Sequence, residues 1–147
     1  MCLSTTQKKA LIAKEDITVY KECIVRDNFL TAYCVTGHKY AKIETAPLRN
    51  QVSDYNPDRR VISSGLHAYL TDASCNNTKW IIPKGSKYYQ GDSSSYVVSN
   101  KLIFVEFINN LKWLEEDVKT GGVNLKWAKP SIKRFYTKWK RYFDANY

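Results

Sequence analysis

The most specific local constellation in the chain is Gly65-Leu66-His67-Ala68-Tyr69. A glycine followed by alternating apolar positions and a single histidine sets an imidazole beside a tight backbone position. Neutral imidazole can hydrogen-bond a ligand or act as a base, because its pKa lies near neutrality. The plain alternative is a satisfied core histidine. Groups suited to anions flank the box in sequence. Arg59-Arg60 precede it, and Lys84 and Lys87 bracket Gly85-Ser86, whose backbone N–H groups could cradle a phosphate. Ser93-Ser94-Ser95 adds hydroxyls. Arginine suits bidentate phosphate contact, and Tyr88-Tyr89 could supply a face for stacking on a base. The expected ligand-binding set is therefore Arg59, Arg60, His67, Tyr69, Lys84, Lys87, Tyr88 and Tyr89. Against it stands the ordinary fact that exposed loops carry basic pairs and serine-rich turns.

Catalytic templates fare worse. His67, Tyr88 or Tyr89, and Glu106 occur in the order of the His-Tyr-Glu triad of one ADP-ribosyltransferase class, but a tyrosine-rich chain offers that order cheaply. A strand with one face in solvent also accounts for Glu106 among Phe104, Val105, Phe107 and Ile108. GxSxG, HExxH, Walker and GxGxxG motifs are missing. Cys2, Cys23, Cys34 and Cys75 form no CxxC pair and do not combine with His38 and His67 at zinc-finger spacing. No catalytic residue, metal or cofactor is expected.

The elements that must position these groups read as mostly β. The 147 residues fit one domain, with eleven Tyr, five Phe and four Trp. Residues 1–14 read as a flexible polar leader. A β-rich core is expected over 17–107. Ile17 to Val25 and Phe29 to Val35 form a hairpin candidate, and a short strand follows around Tyr40 to Ile43. A long surface loop spans Thr45 to Arg60. Val61 to Leu70 and Trp80 to Ile82 are apolar again. Tyr96 to Ser99 and Lys101 to Phe107 read as a final hairpin joined near Ser99-Asn100. From Ile108 to Val118 a helical reading competes.

The last stretch reads as a basic amphipathic helix over 130–145. Ile132, Phe135, Tyr136, Trp139, Tyr142 and Phe143 fall on one stripe at helical spacing. Lys133, Arg134, Lys138, Lys140 and Arg141 fall outside it. Net charge is +9, and residues 126–147 hold seven Lys or Arg against one Asp. Such asymmetry points to an anionic partner, or merely to a solvated face. The fold expected is α+β: an antiparallel twisted sheet or small open barrel with the C-terminal helix packed on it.

Tyr20-Lys21, Gly37-His38-Lys39-Tyr40 and Ser64-Gly65-Leu66-His67-Ala68, followed by Ile82 to Tyr89 and Val98 to Lys101, resemble the "YK…GxxY…SGFHA" order of small uncharacterised phage and prophage proteins. The resemblance covers roughly residues 17–107, with Leu66 in place of the usual aromatic. It implies a viral or mobile-element origin and carries no activity.

The leading functional expectation is a non-enzymatic protein that captures a small anionic ligand, a nucleotide in the first instance, and so could sequester a host antiviral signal. The alternatives are a nucleic-acid-binding accessory protein using the basic helix and the transferase reading. Self-association is left open. No apolar h-region and no span of about 20 apolar residues occurs, so a cytoplasmic protein away from membranes is expected. In that compartment the cysteines stay reduced. Thiol titration of freshly purified, unfolded protein should count four free thiols; two intramolecular disulfides would overturn the cytoplasmic expectation.

Overall fold

The computed structural model describes residues 3–26, 29–32, 39–72, 78–92 and 94–107, with isolated positions 130, 137, 140 and 141. In chain order the strands are β1 (Leu3–Thr5), β2 (Leu11–Ile12), β3 (Ile17–Lys21), β4 (Cys23–Arg26), β5 (Phe29–Ala32), β6 (Lys39–Tyr40) and β7 (Ile43–Thr45). They continue as β8 (Arg49–Val52), β9 (Arg60–Ser64), β10 (Leu66–Tyr69), β11 (Thr78–Ile82), β12 (Lys87–Gln90), β13 (Tyr96–Ser99) and β14 (Lys101–Phe107). An eight-stranded sheet has the order β2-β12-β13-β10-β3-β11-β14-β7, and three-stranded sheets have the orders β1-β9-β8 and β4-β5-β6. Every pairing is antiparallel.

The α+β expectation is thereby corrected. The described chain is nearly all β-sheet, and no helix is among its elements. Of the expected 130–145 helix, only Pro130, Thr137, Lys140 and Arg141 are described, all exposed. The aromatic stripe and the 108–118 segment lie outside the described residues. The physical reason is that the sheet covers its own core.

Connectivity forces that curvature. β13 and β14 are separated by Asn100 alone, yet they stand third and seventh in the sheet. Four strand spacings in a flat sheet would be roughly 19 Å, whereas two residues of extended chain reach only about 7 Å. The sheet must therefore coil until the two strands meet end to end. The expected hairpin at Ser99-Asn100 is instead a crossing: β13 pairs with β10 and β12, and β14 with β11 and β7.

Inside the coil sit Val19, Leu66, Ala68, Trp80, Ile82, Val97, Leu102 and Phe104, joined by Ala13, Cys23 and Tyr40. Trp80 is fully buried between Tyr40 and Phe104, with edge-on ring centroids at 5.5 and 5.3 Å. Burying an indole requires a partner for its N–H. Trp80 Nε1 donates to Thr78 Oγ1 at 2.9 Å, and that hydroxyl donates to the Lys21 carbonyl at 2.8 Å. Cys23 is buried, and burial pushes its thiol pKa up; Cys2, Cys34 and Cys75 lie outside the described residues.

A second cluster, Leu3, Ile62, Tyr89 and Val98, joins the β1-β9-β8 sheet to the outer face of β12 and β13. Val97 and Val98 are both completely buried, so β13 is covered on both faces. Two sequence expectations give way here. The "leader" contains β1, with Leu3 and Thr5 buried, because Leu3 has an apolar cluster to enter. Asp92 clasps this strand by accepting from the Thr6 N–H at 3.1 Å and hydroxyl at 2.8 Å, and by pairing with Arg59 at 3.0 Å. The Thr6 bonds, with Arg59 behind them, hold the Asp92 carboxyl below its usual pKa. The clasp is thus complete at neutral pH and weakens as pH falls toward that lowered value. The expected loop at 45–60 holds β8, paired with β9 in a hairpin whose turn is closed by Ser53 N–H donating to the Arg59 carbonyl.

β9 passes into β10 through Gly65, at φ +140°. A Cβ there would lie 2.4 Å from Val98 Cγ1 and 2.7 Å from Leu48 Cδ2, whereas at Gly85, with φ +88°, it would meet nothing within 4 Å. In chemical denaturation, Gly65→Ala should cost about 2–5 kcal/mol, from backbone strain plus overpacking. Gly85→Ala should cost only about 1–2 kcal/mol, from backbone conformation alone. Equal losses at the two sites would show that the close approach at Gly65 does not constrain the fold.

Candidate ligand-binding site

Where the coil meets itself, the chain leaves an open groove. Asn100 N–H donates to the Lys87 carbonyl at 3.0 Å, Ala46 N–H donates to the Asn100 carbonyl at 3.0 Å, and Lys87 N–H donates to Asn100 Oδ1 at 3.0 Å. These bonds draw β12, the start of β14 and the segment after β7 around a space of about 490 Å³. Its lining is Thr45, Ala46, Pro47, Leu48, Lys87, Asn100 and Lys101. That volume lies within the range of small-molecule sites. Among the described residues two lysines and no carboxylate line it, and Ala46, Pro47 and Leu48 give it an apolar wall. Among the described residues neither ammonium has an ion-pair partner, so the groove is electropositive.

Of the residues singled out in the sequence, Lys87 alone lines this groove. Arg59 is held by Asp92, and its Nε donates to Ser4 Oγ at 3.0 Å. Arg60 is half-buried in β9, opposite Thr5 and Val52. Lys84 is exposed on the β11–β12 turn, and the donors of that turn are engaged. Lys84 N–H bonds Asp16 Oδ1 at 2.8 Å, Gly85 N–H the Ala13 carbonyl at 2.8 Å and Ser86 N–H the Pro83 carbonyl at 3.0 Å. A carboxylate thus already occupies the position where a phosphate would sit. Tyr88 packs against the inner core. Tyr89 is buried in the second cluster, and Asn50 Nδ2 donates to its hydroxyl at 3.0 Å. Tyr89 therefore presents no open stacking face, and Tyr88 is half-buried.

His67 and Tyr69 project from the opposite side of β10 to Leu66 and Ala68, onto the outer face of the coil. There Tyr69 stands directly opposite Tyr20 on one side and Tyr96 on the other. The Tyr96 ring lies between the other two groups, stacked on His67 at 5.4 Å and tilted to Tyr69 at 5.2 Å. Its hydroxyl hydrogen-bonds His67 Nδ1. The same row continues through Lys79 to Glu106, which pair at 3.9 Å, so its charges balance. Behind the strand, buried Lys21 donates to the His67 carbonyl and lies over the Tyr40 ring. Burial first, then Lys21, lowers the His67 pKa to about 4. Tyr69 stays exposed, and the cations nearest the cluster are already engaged, Lys21 by the His67 carbonyl and Lys79 by Glu106.

The transferase triad is not brought together. Glu106 in β14 is three strand spacings from His67 in β10, roughly 14 Å in the sheet. Among the described residues no group of three His, Cys, Asp or Glu could hold a metal, and no helix is long and apolar enough to cross a membrane. The Lys133–Arg141 basic face proposed for nucleic acid lies outside the described residues, apart from the exposed Lys140 and Arg141. Comparison with protein-family models, curated proteins and solved structures finds no match to this chain.

The sequence reading missed Lys101, Asn100 and the Pro47-Leu48 wall. Ser99-Asn100 carried a turn signal, but nothing local shows that this point meets residues 45–48 and 87.

His67 provides a check on the outer cluster. An unfolded chain takes up a proton near the ordinary histidine pKa, while the folded one resists until about pH 4. Stability contributed by neutral His67 is therefore complete above about pH 6.5 and lost as pH falls from there toward 4. NMR titration should place the His67 midpoint near 4, and His67→Gln should flatten the stability slope across that window. A midpoint near that of free histidine would mean that the ring is open to solvent.

Proposed function

We propose that this is a non-enzymatic binding protein that captures a small anionic ligand, a nucleotide in the first instance, in the groove at the Asn100 seam. One observation carries the reading: the groove gathers Lys87 and Lys101, without a carboxylate among the described residues, beside an apolar wall. Ammonium groups supply the phosphate contacts, and Pro47 and Leu48 supply a non-polar surface for a base or similar flat body. Specific sites of this kind combine apolar walls with a few placed polar groups. The resemblance to small phage and prophage proteins supplies a setting, sequestration of a nucleotide signal used against the phage. Sequestration needs capture alone and no reacting group.

Thermal shift at modest salt tests this with a panel of nucleotides. At least one should raise the melting temperature of the wild type, and the shift should vanish in a Lys87→Ala/Lys101→Ala double variant. Neither lysine holds an ion pair among the described residues, and exposed charges contribute little to stability, so the variant should fold normally. A panel without effect, or a shift that persists in the variant, would rule out the groove as the site.

A further inference from the structure

We infer that the groove selects a phosphomonoester and that Asn100 sets this selectivity; the inference rests on the groove being the anion site proposed above. Asn100 is fixed by main-chain bonds to its N–H, its carbonyl and its side-chain oxygen. The bond from Lys87 N–H to Oδ1 identifies which amide atom is which. Oδ1 is engaged by β12, and Nδ2, with two N–H donors, has no partner among the described residues. The described residues that line the groove thus carry three groups that can only donate: the Lys87 and Lys101 ammonium groups and the Asn100 amide nitrogen. The Thr45 hydroxyl can donate or accept.

Such a donor set fits one end of the ligand. A phosphomonoester offers three strong acceptor oxygens and a charge of about −1.5 to −2 at pH 7. A carboxylate offers two oxygens and a single charge, a weaker electrostatic match to two ammonium groups and an amide. The other end is read differently. The side chains of Ala46, Pro47 and Leu48 hold neither donor nor acceptor, so they recognise an apolar or aromatic body by contact alone. The ligand class is therefore a phosphomonoester carrying a flat or apolar body. The phosphate sets affinity, and the body is loosely specified.

Calorimetric titration of adenosine monophosphate, adenosine and benzoate into the wild type and Asn100→Asp tests the inference. Aspartate keeps an oxygen for Lys87 N–H but replaces the amide donor with a negative acceptor. In the wild type adenosine monophosphate should bind at least about ten-fold more tightly than benzoate, and adenosine undetectably. Asn100→Asp should lose about ten-fold or more in adenosine monophosphate affinity, as expected for losing a hydrogen bond to a charged group. Its melting temperature should stay close to that of the wild type. Benzoate binding as tightly as the monophosphate, or unchanged monophosphate affinity in Asn100→Asp, would overturn phosphomonoester selectivity and leave anion capture standing. If neither anion binds, both fall. Should the variant not fold, the contrast between the two anions in the wild type decides alone.

Discussion

The Asn100 side chain and main chain hold together two parts of the sheet that hydrogen-bonding order alone would leave far apart. Lys87 in β12 and Ala46 after β7 come from second and last place in an eight-strand order, and both bond the same residue. Because Asn100 is also the only residue between β13 and β14, the crossing and the closure are one event. The inner cluster around Trp80 is a consequence. Coiling places residues from five strands around one axis, where an open sheet would have needed a second layer to cover them.

That closure also decides where charge can act. Several basic residues are already occupied by the fold. Arg59 holds Asp92 and the N-terminal strand, Lys79 faces Glu106, and Lys21 is buried under His67 and beside Tyr40. An ammonium buried in this way is tolerable only because carbonyl and ring partners replace water. Lys87 and Lys101 differ in standing at the seam, on an apolar wall, without a carboxylate among the lining residues. Among the described residues, the seam is thus what sets these two lysines beside an apolar wall.

This explains what could be read in the sequence and what could not. Alternation in Ile17–Lys21, Thr78–Ile82 and Lys101–Phe107 reports strands directly, because one face of each is buried. Strand β8, Arg-Asn-Gln-Val, carries no such alternation and pairs at the edge of its sheet, so it passed for loop. Leu3 looked like part of a polar leader because the cluster it enters is assembled from Ile62, Tyr89 and Val98, far along the chain. His67 and Tyr69 were legible as a special pair, but their partner Tyr96 comes from register, which local spacing does not encode. The Pro83–Ser86 turn looked like an anion cradle because sequence reveals its free donors and not Asp16, the acceptor that takes one of them.

Residue-resolved amide hydrogen exchange tests closure at Asn100 and capture in the groove together. The amides of Ala46, Lys87 and Asn100 each donate across the seam, and only Lys87 lies within a strand. All three should exchange as slowly as amides of the central strands, and more slowly still with adenosine monophosphate present. Exchange of Ala46 and Asn100 at the rate of exposed loop amides, unchanged by the nucleotide, would contradict closure and capture alike.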